Sequence, residues 1–193
     1  MREYVSPTEA AKALRRGEVA LVPTETVAGL VAAENTGLRR IEQIKNRDPD
    51  KPVALLCASA EEAFALATDV SPLARKLASL YWPGPLTLVL DRAGGGTVGV
   101  RVPAGQVVRE LLAAYGEPLY ATSANLSGEP APKGLEEVDP QVSEAVGLVV
   151  EGEPGSGEAS AVVDLSAGRV RLLRATGELT EEKLSRLLTA DDG

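Results

Sequence analysis

Short apolar runs alternate with polar loops along nearly the whole chain, and the runs show two different periods. Ser6-Pro7-Thr8-Glu9 has the form of a capping box with proline in the first helical turn. A helix is expected to follow it to about Arg16 and to stop at Gly17. Val19–Val22 is a short apolar strand ended by Pro23, and Val27–Ala33 reads as a second strand. Leu38, Ile41 and Ile44 recur at helical spacing, so Gly37–Lys45 is predicted to be an amphipathic helix whose cationic end suits the helix dipole. Val53–Cys57 is a buried strand. Ser59-Ala60-Glu61-Glu62 opens a short helix, and Ser71-Pro72 opens another that runs to about Tyr81.

The second half continues the alternation. Leu86–Leu90 and Val98–Val102 are strands around a glycine turn, Val107–Ala114 is helical, and Pro118–Thr122 is a strand. Leu135–Ala145 is helical but broken at Pro140. Val146–Val150, Ala161–Leu165 and Val170–Leu173 are strands, and Thr180–Leu188 closes the chain as a helix. The pattern predicts one α/β domain over residues 1–193: a twisted, mixed β-sheet with helices on its faces. Gly152–Gly157 reads as a glycine-rich loop inside that domain.

Composition narrows the chemistry. Hydrophobic content is 44% and aromatic content only 3%, so the core is built mainly of Leu, Val and Ala. Histidine is absent, which removes Ser-His-Asp and Cys-His catalysis and histidine-based metal sites. The one cysteine, Cys57, lies in an apolar run and reads as an inert buried thiol. No protein-built metal site is expected. The start of the chain lacks an apolar leader and no run is long enough to span a membrane, so a cytoplasmic location is expected.

Net charge is −8, and it is unevenly distributed. Residues 1–100 carry 12 basic and 12 acidic side chains, and residues 101–193 carry 8 and 16. A broad RNA-coating surface is therefore not expected. A local cationic cluster remains at Arg39, Arg40, Lys45, Arg47 and Lys51.

Four loops carry the candidate chemistry: Pro23-Thr24-Glu25-Thr26, Lys45-Asn46-Arg47 with Lys51-Pro52, Trp82-Pro83-Gly84-Pro85-Leu86-Thr87, and Ala121-Thr122-Ser123-Ala124-Asn125. They offer hydroxyls and fixed cations but no nucleophile–base pair, an inventory that suits positioning a phosphorylated ligand. Each has an ordinary structural reading too. Lys45 and Arg47 at a helix end read first as a solvated charged terminus. Ser123 and Asn125, like Thr24 and Thr26, serve a turn as readily as a ligand. Trp82-Pro83-Gly84-Pro85 reads as a rigid turn under one buried indole that positions Thr87. Gly94, Gly96 and Gly99 match a dinucleotide fingerprint in letters only, because a strand follows them instead of a helix.

The segments PTETVAGL, KNR with KP, WPGPLTLVL, VGVRVP and PLYATSANLSGEP stand in an order and spacing that resemble the threonylcarbamoyl-AMP synthase family, also called the Sua5/YciO/YrdC family. The resemblance covers residues 5 to 177, and no separate C-terminal domain is expected after it. It implies the YrdC/RibB-like α/β fold and ATP-dependent formation of threonylcarbamoyl-AMP from L-threonine and bicarbonate. Mg²⁺ would enter with ATP, and pyrophosphate would leave. A partner threonylcarbamoyl transferase complex would then modify adenosine 37 of tRNA. Carried over by motif, Lys45 and Arg47 take the catalytic role and hold ATP phosphates with Lys51, while Ser123, Asn125 and Arg174 complete the ATP site. Thr24, Thr26, Thr122 and Arg101 face threonine.

Four positions depart from the family pattern. Ala28 stands where tyrosine is usual, which is expected to widen the amino-acid pocket. Asp48 intervenes before Pro49, the histidine usual after Lys-Pro is absent, and Arg174-Ala175-Thr176-Gly177 replaces Arg-Pro-Gly. A non-catalytic YrdC-like paralogue that binds nucleotide or RNA is the alternative these departures leave open.

Overall fold

The computed structural model describes residues 3–33, 36–46 and 53–189. Among them, ten strands form one mixed sheet: β1 (Glu3–Val5), β2 (Val19–Val22), β3 (Gly29–Ala32), β4 (Ala54–Leu56), β5 (Leu86–Asp91), β6 (Thr97–Arg101), β7 (Leu119–Ser123), β8 (Leu148–Val150), β9 (Ala161–Asp164) and β10 (Arg171–Arg174). Their order is β1-β8-β2-β3-β7-β4-β6-β5-β9-β10. The β1–β8, β2–β8, β4–β6 and β5–β9 pairs are parallel, and the others are antiparallel. The helices are α1 (Pro7–Arg15), α2 (Thr36–Lys45), α3 (Ala60–Ala65), α4 (Pro72–Tyr81), α5 (Gln106–Tyr115), α6 (Pro140–Val146) and α7 (Glu181–Thr189). No helix among the described residues is long and apolar enough to cross a membrane.

The local signals act as their chemistry dictates. At α1, Ser6 Oγ accepts from the Glu9 amide at 3.3 Å while the Glu9 carboxylate accepts from the Ser6 amide at 2.9 Å. At α3 only half of that exchange forms. Ser59 Oγ accepts from the Glu62 amide at 3.2 Å, but the Glu62 carboxylate turns to the Ala58 amide. Pro140 does not break a helix; it starts one. Asp139 caps α6 by accepting from the Gln141 amide at 2.7 Å, and Leu135–Glu137 is a separate 3₁₀ turn. The three glycines before β6 all have left-handed φ, so Gly94–Gly96 forms a turn and no phosphate-binding loop. β1 was not foreseen, because three residues carry too little periodicity to register.

Side chains alternate across the sheet, and the two faces receive different cover. On one face, Leu55, Leu88, Val100 and Val163 pack under α3, α4 and α7, while Val19, Leu21, Leu30 and Val149 pack under α2 and α6. On the other face α1 and α5 cover β8, β2 and the adjoining part of β3, through Ala20, Val22, Val31 and Leu148. Leu56 and Leu119 join that cluster, and no helix among the described residues covers the rest of that face. There the register lines up Gly29 with Ser123, Val31 with Ala121, Ala121 with Ala54, and Gly99 with Val89. Cys57 is fully buried, and burial, then the Glu62 charge, pushes its thiol up to about 12, as an inert core thiol requires.

Adjacent residues on β4 test this two-sided layout. Leu55→Ala should cost about 2–5 kcal/mol in urea unfolding, the range for truncating a buried leucine. Ala54→Leu fills the uncovered face and should move stability by only about 0.5 kcal/mol while abolishing ligand binding there.

Candidate active site

The uncovered face is a groove of about 370 Å³, a size that suits a small ligand. Gly29, Ala54, Gly99 and Ala121 are small residues in its floor, among Val31, Leu56 and Val89. Arg101, at the end of β6, and Arg174, at the end of β10, bring two guanidinium groups to it. Thr87 and Ser160 form a buried hydroxyl pair in its wall, 3.0 Å apart. Two hydroxyls sharing one hydrogen bond keep one proton for a ligand.

Arg101 is held by two loops. Its Nε donates to the Gly84 carbonyl at 3.1 Å, both terminal nitrogens donate to Thr26 Oγ1 at 3.1 and 3.2 Å, and Nη2 also meets the Glu25 carboxylate at 2.5 Å. Glu25 accepts in turn from the Ala104 and Gly105 amides at 3.0 and 3.1 Å, just ahead of α5. Burial alone would raise the Glu25 carboxyl, but the Arg101 charge and the Ala104 amide prevail and hold it below the ordinary glutamate value. Thr24 Oγ1 donates to the Val27 carbonyl at 2.7 Å and accepts from the Thr26 and Val27 amides, which fixes the turn between β2 and β3. Arg174 has no carboxylate partner among the described residues. Burial, and then the Arg101 charge, pull its guanidinium below the usual arginine value. The groove is thus electropositive and anion-seeking.

A second cluster forms around Lys45. Lys45, the last residue of α2, is buried, and its ammonium donates to the carbonyls of Ser123, at 2.5 Å, and Asn125. Ser123 Oγ donates to Asn125 Oδ1 at 2.5 Å, and Asn125 Nδ2 donates to the carbonyls of Leu126 and Glu129 at 2.9 and 2.6 Å.

Of the residues singled out from the sequence, Thr24, Thr26, Thr122, Ser123, Arg101 and Arg174 border the groove. Lys45 and Asn125 do not line it, and the solvated-terminus reading of Lys45 fails because the residue is only 2% exposed. Arg47 and Lys51 lie outside the described residues. Sequence reasoning missed Glu25 as the partner of Arg101, and it missed Ser160. It also passed over the strap at Gly152–Gly157. There the Ser156 and Gly157 amides donate to the carbonyls of Glu25 and Thr26 at 3.0 and 2.8 Å, and a Cβ on Gly155 would lie 2.5 Å from two backbone oxygens of the Thr24–Thr26 loop. The Trp82 indole is half-buried and donates to the Leu86 carbonyl at 2.7 Å, beside Thr87 as expected.

The profile of one protein family, Sua5/YciO/YrdC, described as "Telomere recombination", matches residues 12–176. The chain belongs to the Sua5/YciO/YrdC family. It is 36% identical over 185 residues to the threonylcarbamoyl-AMP synthase of Pyrococcus abyssi, an alignment covering 90% of this chain and 54% of that one. A putative threonylcarbamoyl-AMP synthase of Mycobacterium tuberculosis is 31% identical over 191 residues, covering 93% and 87%. The crystal structure of P. abyssi Sua5 complexed with L-threonine superposes with a TM-score of 0.86 at 32% identity, covering 97% of this chain and 59% of that one. The chain therefore spans little more than half the length of the P. abyssi protein.

Within this Sua5/YciO/YrdC chain the alanine in PTETVAGL does not widen the groove. Ala28 is fully buried in the core cluster on the opposite face, with Leu30, Ala124 and Val142, and it is no part of the groove wall. Its amide donates to the Pro132 carbonyl at 2.8 Å and its carbonyl accepts from the Ala124 amide at 2.9 Å. The expectation fails because position 28 shares its face with Leu30 and Ala32, not with Gly29 and Val31.

Two measurements follow. Ala28→Tyr should overpack that core and lower stability by about 1–3 kcal/mol or more in urea unfolding. The Glu25 carboxyl is lowered in the folded chain, so its contribution to stability is complete above the unfolded carboxyl value and is lost as pH falls through the folded one. Glu25→Gln should therefore melt lower than the parent at neutral pH, and the gap should narrow on acidification in thermal melts between about pH 7 and pH 3.

Proposed function

We propose that this chain synthesises L-threonylcarbamoyl-AMP. The observation that carries the reading is the electropositive groove: Arg101 and Arg174 line it together with the small residues Gly29, Ala54, Gly99 and Ala121, with the Thr87–Ser160 hydroxyls in its wall. Such a site takes a small anionic substrate and a nucleotide side by side. The threonine amine and bicarbonate give a carbamate and water. A carbamate oxygen then attacks the α-phosphorus of ATP, a P–O bond forms, and the bond to the β-phosphate oxygen breaks to release pyrophosphate. No side chain need become covalently attached. The work is alignment and charge neutralisation, which a site without histidine can perform.

Among the described residues no three acidic, cysteine or histidine side chains gather to hold a metal ion. In this reading Mg²⁺ arrives as part of the nucleotide substrate, chelated by its phosphates. Ser123 and Arg174 serve the nucleotide, with Arg47 and Lys51 contributing phosphate contacts from outside the described residues. Thr24, Thr26, Thr122 and Arg101 serve threonine. The product passes to a transferase complex that modifies tRNA at adenosine 37, which places the chain in the cytoplasm. The acidic second half, with 8 basic and 16 acidic residues, fits weak tRNA contact at most.

The test is pyrophosphate release by the purified chain with Mg²⁺, ATP, bicarbonate and L-threonine. Release should require threonine and bicarbonate together, and a threonylcarbamoyl adenylate should appear by mass spectrometry. ATP binding with no threonine-dependent product would replace this reading with that of a nucleotide-binding paralogue.

A further inference from the structure

We infer that Lys45 is a positioning residue, a two-ended staple that sets the conformation of the Ser123–Ser127 loop, and not a phosphate ligand. For its part in the reaction this rests on the synthase reading above. Both ends of Lys45 hydrogen-bond to that loop. Its ammonium donates to the Ser123 and Asn125 carbonyls and, at 3.3 Å, to Asn125 Oδ1, while its own carbonyl accepts from the Ser127 amide at 3.2 Å. Among the described residues alone, these acceptors already equal in number the three N–H donors of an ammonium. The side chain is 2% exposed and forms no part of the groove wall. A charge buried to that degree is retained where its hydrogen bonds are complete, and withdrawing it toward a phosphate would strand two main-chain carbonyls.

The staple also determines what Ser123 can offer. Asn125 Oδ1, polarised by the ammonium, accepts the Ser123 hydroxyl proton at 2.5 Å. The groove-facing Ser123 Oγ is thereby turned into an acceptor. The Asn125 amide group is occupied by Leu126 and Glu129 carbonyls, so this asparagine too shapes the loop. Asn46, next after Lys45, takes a left-handed φ of 48°, and the helix ends at Lys45.

The decisive measurement is lysine acylation mapped by mass spectrometry on the parent protein, with and without MgATP. Lys45 should react at least about tenfold more slowly than the exposed Lys12 and Lys133 in both conditions. A Lys45 that is reactive in the free protein and protected by ATP would overturn the proposal. In Lys45→Met, hydrogen exchange at the Ala124 and Ser127 amides should accelerate about tenfold or more while the Leu88 amide stays protected. Unchanged exchange at Ala124 and Ser127 would count against the staple. Kinetically, kcat for pyrophosphate release should fall about tenfold or more with KM for ATP within about threefold, the split expected when alignment rather than binding is lost. A raised KM at unchanged kcat would restore Lys45 as a phosphate ligand. If Lys45→Met does not fold, acylation of the parent decides. If the parent releases no threonine-dependent pyrophosphate, the synthase reading falls, and the acylation and exchange results still judge the staple.

Discussion

The Arg101–Glu25 ion pair is the interaction on which the site depends. Arg101 enters from the end of β6 and Glu25 from the turn between β2 and β3, so one 2.5 Å contact ties strands that stand four places apart in the sheet. The same guanidinium anchors the Gly84 carbonyl, and the same carboxylate receives the amides leading into α5. Three loops from distant parts of the chain thus share one charge pair. Breaking either member would leave a largely buried charge without its partner, a far larger penalty than the loss of a surface pair. The Gly155 strap adds a second restraint on the same turn, using main-chain hydrogen bonds alone.

Periodicity made most of the fold legible. Helix starts at Ser6 and Ser71 and strand cores at Val19, Leu86 and Ala161 were readable because local sequence and burial agree there. Pro140 was misread because proline breaks a helix interior but begins a helix when an acceptor such as Asp139 precedes it. The site was legible in part. Arg101 and Ser123 stood out through their motifs, whereas Glu25 sat inside a quoted motif and drew no attention. Its role exists only because Arg101, seventy-six positions away, comes to meet it. Ala28 was misassigned for a related reason: a substitution can be seen in a sequence, but the face on which it falls depends on the strand register. Lys45 looked like a surface cation because composition cannot show which carbonyls will fold around it.

Two kinds of cation follow from this arrangement. Arg101 and Lys45 have their donors committed to the protein, and they hold loops in place. Arg174 has no carboxylate partner among the described residues and stands at the groove with its charge uncompensated. A site built in this way separates shape from attraction. The cations bonded within the protein define where the walls stand, and Arg174, without a carboxylate partner among the described residues, supplies field that draws an anion between them.

The groove floor carries a different consequence. Ala121, Ala54 and Gly99 lie side by side across the neighbouring strands β7, β4 and β6, and a Cβ on Gly99 would meet Ala54 at 3.5 Å. At those positions a ligand can approach the main chain closely, and any larger side chain would occupy the ligand's space. Recognition is therefore delegated to the rim. Divergence in such a scaffold can change the cargo by editing a few border residues, while the platform beneath stays the same.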